Sequence, residues 1–248
     1  MKPRILINSL SQKIGQKVSK ILTSSDGNKF EIRKKEDRSV VTNIDEEISN
    51  LVKTETLNLF DEKYNFFCEE DHGELSYPAV VLDPIDGTKG LVTGTYECAV
   101  SLAIMETGAI DSGFGWIFNP FTGFSLASDD ISLALEQKLV APFLGLVSRS
   151  EWDKGIFNNL ELENIILAPM GSIAFKLGLL AVGSCHFILS ANPKNIWDIA
   201  AGSILCRQRG ILLFNQEGKE IVHLNDKLIK GPIFWSRPEL APKIVALI

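Results

Sequence analysis

The chain has 248 residues, 45% of them apolar, with 25 Lys and Arg against 31 Asp and Glu for a net charge of −6. That length buries roughly 70–75% of the unfolded surface, so the fold needs no disulfides. The acidic balance excludes a general nucleic-acid binder, which carries a basic surplus, but leaves room for a small anionic substrate held at a local cation cluster.

Ile5, Leu10, Ile14, Val18 and Ile21–Leu22 recur at helical spacing, and Ser24-Ser25-Asp26-Gly27-Asn28 ends that helix. After Arg4 the pattern is amphipathic rather than continuously apolar, so it does not read as a secretory leader, and a cytoplasmic protein is expected. Residues 24–39 are charged and read either as a mobile lid, bringing Lys34 or Lys35 to the site, or as an exposed hairpin. Thr42-Asn43-Ile44-Asp45 opens a second helix, with Thr42 or Asn43 as cap and Ile48, Leu51, Val52 and Leu59 on its buried face.

From residue 64 the period changes. Strands are predicted over 64–68, 79–82, 98–105, 113–118 and 144–147. A helix over 172–182, a strand over 185–189, a helix over 199–207 and a strand over 211–214 follow. Helices, then a block of strands, then alternation predict a layered α/β or α+β architecture. We expect one compact unit with lobes over 1–135 and 136–248. The apolar stretch 173–191 holds Lys176 and His186 and reads as core helix and strand, not a membrane span. The cysteines, Cys68, Cys98, Cys185 and Cys206, form no C-x-x-C pair and mostly sit in apolar runs, as reduced buried residues do.

The chemistry concentrates in Val80-Val81-Leu82-Asp83-Pro84-Ile85-Asp86-Gly87-Thr88. An apolar strand runs into Asp83, and Pro84 cannot continue the hydrogen-bond ladder, so the chain is predicted to turn there. The turn can aim Asp83 and Asp86 at one point. Two converging carboxylates are costly unless a cation neutralises them, and oxygen-only ligation favours Mg²⁺, Mn²⁺ or Ca²⁺ over zinc. Gly87 permits close backbone approach, a helix starting there offers N–H groups to a phosphate, and the Thr88 hydroxyl can orient water. Glu69-Glu70-Asp71 also follows an apolar strand. Asp198 in Trp197-Asp198-Ile199-Ala200-Ala201-Gly202, and Asp45, each read alone as helix caps. The small residues of that last segment allow close helix packing.

Together, Glu69-Glu70, Asp83-Pro84-Ile85-Asp86-Gly87-Thr88 and Trp197-Asp198-Ile199-Ala200-Ala201-Gly202, with Val41-Thr42 before Asp45, resemble the inositol monophosphatase superfamily of metal-dependent, lithium-sensitive phosphatases. The resemblance spans about residues 40–210. It implies an αβαβα layered sandwich, a homodimer, two or three Mg²⁺ ions per site and a small phosphorylated substrate. It implies Glu69, Asp83 and the Ile85 carbonyl as ligands of a first metal, Asp83, Asp86 and Asp198 as ligands of a second, and Glu69 again for a weaker third. Thr88 would orient the attacking water, Asp45 or Glu70 would accept its proton, and the Gly87 and Thr88 N–H groups would hold the phosphate.

Lys89 after Thr88 resembles the 3′(2′),5′-bisphosphate nucleotidase branch, although Leu91 stands where either branch usually has an aromatic. Ser190-Ala191-Asn192-Pro193-Lys194-Asn195 lacks the Glu with which inositol monophosphatases commonly bind inositol hydroxyls, and Lys194 suits a second phosphate. Ser148-Arg149-Ser150, Ser172 and Lys176 also resemble the nucleotidase side, with Arg149 and Lys176 reading equally as solvated surface. The expected substrate is adenosine 3′,5′-bisphosphate. Inositol 1-phosphate is the alternative and fructose 1,6-bisphosphate a remote third. A catalytically inactive metal- or phosphate-binding relative is disfavoured, because every expected acidic position is filled.

Overall fold

The computed structural model describes residues 2–23, 32–34, 40–60, 63–71, 73–130, 139–160 and 163–248. Leu6, Leu10, Ile14 and Val18 form one buried face of α1 (Lys2–Thr23). β1 (Ile32–Lys34) and β2 (Val40–Thr42) pair antiparallel. The rest of the 24–39 stretch, and the lid reading with it, lies outside the described residues. α2 (Asn43–Phe60) buries Ile44, Ile48, Val52 and Phe60 in the same cluster as α1, with Leu51 and Leu59 partly buried at its edge.

β3 (Asn65–Cys68), β4 (Ala79–Asp86), the short α3 (Thr88–Val92), β5 (Ala99–Met105), β6 (Phe114–Phe118) and β7 (Ser125–Ala127) follow. Their strands form one sheet in chain order, parallel between β3 and β4 and antiparallel elsewhere. Next come β8 (Phe143–Ser148), α4 (Arg149–Asp153), β9 (Ile165–Met170), α5 (Ile173–Ala181), β10 (Phe187–Ser190), β11 (Lys194–Asn195) and α6 (Ile196–Arg207). The chain closes with β12 (Leu212–Asn215), β13 (Leu228–Ile229), β14 (Ile233–Ser236) and α7 (Ala241–Val245). A second five-stranded sheet runs β12-β14-β10-β8-β9, with β10, β8 and β9 parallel.

Period-two burial in both sheets sets the layers. Val80 and Leu82 join the cluster of α1 and α2, whereas Ala79 and Val81 join that of α5 and α6. In the second sheet Leu146, Ile188, Ile233 and Trp235 share the α5 and α6 cluster, and Val147, Phe187, Leu189 and Phe234 pack with α7. The layers therefore alternate αβαβα. α6 sits close to its neighbours because its contacts are small. A Cβ on Gly115 of β6 would collide with the Ala201 carbonyl oxygen, and one on Gly202 with the Leu177 side chain. Gly115→Ala is expected to cost about 1–3 kcal/mol, read as a lower Tm in thermal unfolding. An unchanged Tm would mean that α6 does not press on the sheet.

Several elements depart from the sequence-based expectation, which named no strand at β7, β9 or β14 and no helix at α7. β4 continues through Pro84 to Asp86 instead of turning there, and its register with β5 shifts between Asp83 and Asp86. The missing proline donor is absorbed by a bulge, after which pairing resumes. β9 carries Pro169 within it and no clean alternation, so its pattern does not announce a strand. Its pairing with β8 supplies the order. Among the described residues no helix is long and apolar enough to cross a membrane. The four cysteines are buried and free.

Candidate active site

The parallel register of β3 and β4 sets Cys68 against Leu82, and the Glu69 N–H donates to the Leu82 carbonyl at 3.1 Å. Glu69 follows the end of β3 and Asp83 is the next residue within β4, so the two acidic groups lie side by side where β3 ends. Asp83 is 1% exposed. Its Oδ1 accepts the Ile85 N–H at 3.0 Å, a local turn that shapes the bulge.

Asp198 arrives from the other half of the chain. Ser101 lies opposite Asp83 in the β4–β5 register and donates to the Trp197 carbonyl at 2.9 Å. That bond fixes the first turn of α6 over the end of β4. Asp198 is the third residue of the helix, not its cap, and its Oδ2 accepts the Asn195 N–H at 3.2 Å. It closes the helix end and still joins the acidic corner. Asp83, Asp86 and Asp198 each bring one oxygen to within 4.8 Å of the others.

The corner is electrostatically strained. Burial, then Glu69, Asp86, Asp198 and Asp45, push the Asp83 carboxyl well above the usual range. Burial, Asp86 and Glu69 do the same to Asp198, opposed by Lys194 and the Asn195 N–H. Burial also raises Asp86, against the Ala174 N–H, the Ser172 hydroxyl and the charges of Lys176 and Lys194. A divalent cation relieves all three, and an oxygen-only, carboxylate-rich corner suits Mg²⁺ rather than zinc. The residues present fit the implied metal.

Thr88 stands beside this corner. Its Oγ is 3.1 Å from Asp45 Oδ1 and 3.0 Å from the Ile85 carbonyl oxygen. Asp45 Oδ2 accepts the Thr42 N–H at 2.9 Å and the Thr42 hydroxyl at 2.5 Å. Burial pushes Asp45 up to about 6 despite these bonds, and the charge of Glu70 adds to the rise. Gly87, at φ 87°, has no room for a side chain: a Cβ there would stand 2.5 Å from the Glu97 carbonyl oxygen and 2.9 Å from Ser172 Cβ.

The sequence model of the inositol monophosphatase family matches residues 6–248. The chain belongs to that family. A fructose-1,6-bisphosphatase/inositol-1-monophosphatase of Thermotoga maritima is 26% identical over 223 residues, which cover 85% of each chain. Among solved structures, a Thermotoga maritima IMPase matches with a TM-score of 0.78 at 22% identity, covering 100% of this chain and 96% of that one. An IMPase/NADP phosphatase solved with Mg²⁺ and phosphate matches with a TM-score of 0.76 at 16% identity, covering 98% and 94%. These likenesses bear out the layered αβαβα fold.

In this member of the inositol monophosphatase family, a cavity of about 450 Å³ opens beside Gly87 and Ser172 and is walled further out by Lys89, Ser148, Arg149 and Ser150. Arg149 forks onto Glu97, Nη2 to Oε1 at 2.6 Å and Nε to Oε2 at 3.2 Å, and Oε2 also accepts the Gly171 N–H at 2.7 Å. Sequence reasoning missed Glu97. It is a lone acid between Tyr96 and Cys98, and its partner lies 52 residues away, so no local signal marks it.

Lys176 and Lys194 do not line this cavity. Lys176 is 2% exposed. Its ammonium donates to the Val147 and Met170 carbonyls at 3.3 and 3.0 Å, and burial pushes it down to about 8. Because α5 is sandwiched between the sheets, Lys176 is not solvated surface. Lys194 Nζ lies 3.8 Å from Glu151 Oε1. Glu151, 1% exposed, also accepts the Ala191 and Asn192 N–H groups at 3.2 and 3.0 Å and so holds the loop leading to Asp198.

Proposed function

We propose that the chain is a Mg²⁺-dependent phosphomonoesterase whose substrate is adenosine 3′,5′-bisphosphate, cleaved to AMP and phosphate. The hydrolase half rests on the convergence of Asp83, Asp86 and Asp198 beside the Asp45–Thr88 pair. Mg²⁺ held there by Glu69, Asp83, the Ile85 carbonyl, Asp86 and Asp198 would acidify a water and offset charge on the phosphoryl oxygens. Thr88 has one hydroxyl proton, directed to Asp45 or to the Ile85 carbonyl. With its proton directed to Asp45, the hydroxyl keeps both lone pairs, one of which would accept a hydrogen of the attacking water and aim it. Asp45, ionised above about 6, takes up the proton through that hydroxyl. The Gly87 and Thr88 N–H groups would hold the phosphate. No side chain becomes phosphorylated.

The substrate half is supported by the cavity wall. Glu97 engages Nε and Nη2 of Arg149, which leaves the outer edge of the guanidinium for an anion, with exposed Lys89 nearby. A second phosphate on the leaving group suits that wall. A sugar or polyol phosphate is the second reading, favoured by the Thermotoga maritima relative's name. The free buried cysteines suit a reducing cytoplasm, and a homodimer belongs to the same reading.

A panel of adenosine 3′,5′-bisphosphate, inositol 1-phosphate and fructose 1,6-bisphosphate, scored as kcat/KM with Mg²⁺, decides between the readings. Arg149→Ala is expected to raise KM for the bisphosphonucleotide about 10–100-fold, the worth of one charged hydrogen bond, with inositol 1-phosphate unaffected. Preference for a sugar phosphate, or equal losses on both substrates, would overturn the nucleotidase half.

A further inference from the structure

Ser172 lines the cavity next to Gly87, where contact with substrate is the immediate reading. Its hydrogen bonds point elsewhere. A serine hydroxyl has one proton and two lone pairs. The proton goes to Asp86 Oδ2 at 2.7 Å. One lone pair accepts the Phe175 N–H at 3.0 Å, which makes Ser172 the N-cap of α5. No proton remains to donate to a phosphate.

The same Asp86 oxygen accepts the Ala174 N–H at 2.6 Å. The first turn of α5, a nine-residue helix, therefore grips one edge of Asp86 through a side chain and a backbone group together. The grip crosses layers: Asp86 ends β4 of the first sheet, while α5 lies between the sheets. It also holds Ser172 in an unusual backbone state, φ 48° and ψ 108°. Non-glycine residues stay in such states only where their surroundings over-determine them, and these cluster at functional sites.

We propose that Ser172 is a positioning residue: with the Ala174 N–H it fixes the Oδ2 edge of Asp86 so that the other oxygen meets Asp83 and Asp198, and it thereby sets Mg²⁺ affinity rather than substrate affinity. This rests on the Mg²⁺ phosphatase reading. Partners that orient a metal ligand change metal affinity about 10–100-fold when removed.

The test is calorimetric titration of Mg²⁺ into the full chain, with Tm and KM at saturating Mg²⁺ measured alongside. Ser172→Ala removes the hydroxyl and keeps the backbone strain. Ser172→Gly removes both. Each is expected to weaken Mg²⁺ binding by about tenfold or more with KM unchanged. Ser172→Thr keeps the hydroxyl, so its Mg²⁺ affinity stays near wild type even though its β-branch lowers Tm at this φ. Wild-type Mg²⁺ affinity in Ser172→Gly would overturn the assignment by making backbone shape the cause. Unchanged Mg²⁺ affinity with a raised KM in Ser172→Ala would overturn it in favour of a substrate contact. Failure of the underlying reading looks different: the wild-type chain then binds no Mg²⁺, and the assignment falls with it.

Discussion

Asp83→Asn is expected to lower kcat/KM by at least about a thousandfold, roughly 4 kcal/mol of lost transition-state stabilisation, while raising the Tm of the metal-free protein. Asp83 is the acid that Glu69, Asp86, Asp198 and Asp45 all act upon. In the metal-free protein its charge is buried against theirs. The folded-state pKa of Asp83, Asp86 and Asp198 is raised above the unfolded value. The folded state then binds more protons than the unfolded chain across that window, so stability falls as pH rises. Metal-free wild type should melt higher at about pH 5 than at about pH 8, and Mg²⁺ should recover the difference by binding only the folded state. Asp83→Asn deletes the central charge without changing side-chain size. Its metal-free Tm should rise, its pH slope should flatten, and its Mg²⁺-induced Tm shift should shrink. Calorimetric melts with and without Mg²⁺, beside phosphate-release kinetics, read all of these effects. Wild-type activity in the mutant would remove Asp83 from the site.

Thr88→Val carries the second large effect. Valine keeps the shape of threonine and loses the hydroxyl that bonds Asp45 and that, on the proposed mechanism, would bridge Asp45 and the attacking water. A positioned proton acceptor contributes about 10²–10⁴-fold, so kcat should fall at least about a hundredfold with KM little changed. The pH profile identifies the partner. Wild-type kcat should decline as pH falls through about 6, where Asp45 takes up a proton. Asp45→Asn should lose that acid limb along with most of the rate, whereas Glu70→Gln should keep the limb. If Glu70→Gln abolishes the limb and Asp45→Asn does not, Glu70 is the acceptor and the Thr88–Asp45 bond is structural.

Legibility in the sequence followed distance along the chain. Asp83, Asp86, Gly87 and Thr88 lie within six residues, and local chemistry makes them a unit: a strand end, a proline without a donor, and an Asp83 carboxylate accepting the Ile85 N–H. Glu69 needed one further step, the parallel register that sets β3 against β4. Asp45 and Asp198 read alone as helix caps, and Asp198 does close a helix end in the structure. Only the family resemblance set them beside the other acids.

Residue type and spacing alone determined α1, α2, the strands β3 to β6, the buried cysteines and the acidic end of β4, because propensity, alternation and turn chemistry act over a few residues. Only the tertiary structure decided which distant groups meet there. The Ser101–Trp197 bond, 96 residues apart in sequence, lays α6 over β4. The Glu97–Arg149 fork builds the cavity wall. Lys176 is withdrawn into the space between the sheets, and the Ser172 hydroxyl donates to Asp86, 86 residues away in sequence. Such meetings depend on how whole layers pack, and small residues such as Gly115 and Gly202 set how closely α6 approaches its neighbours.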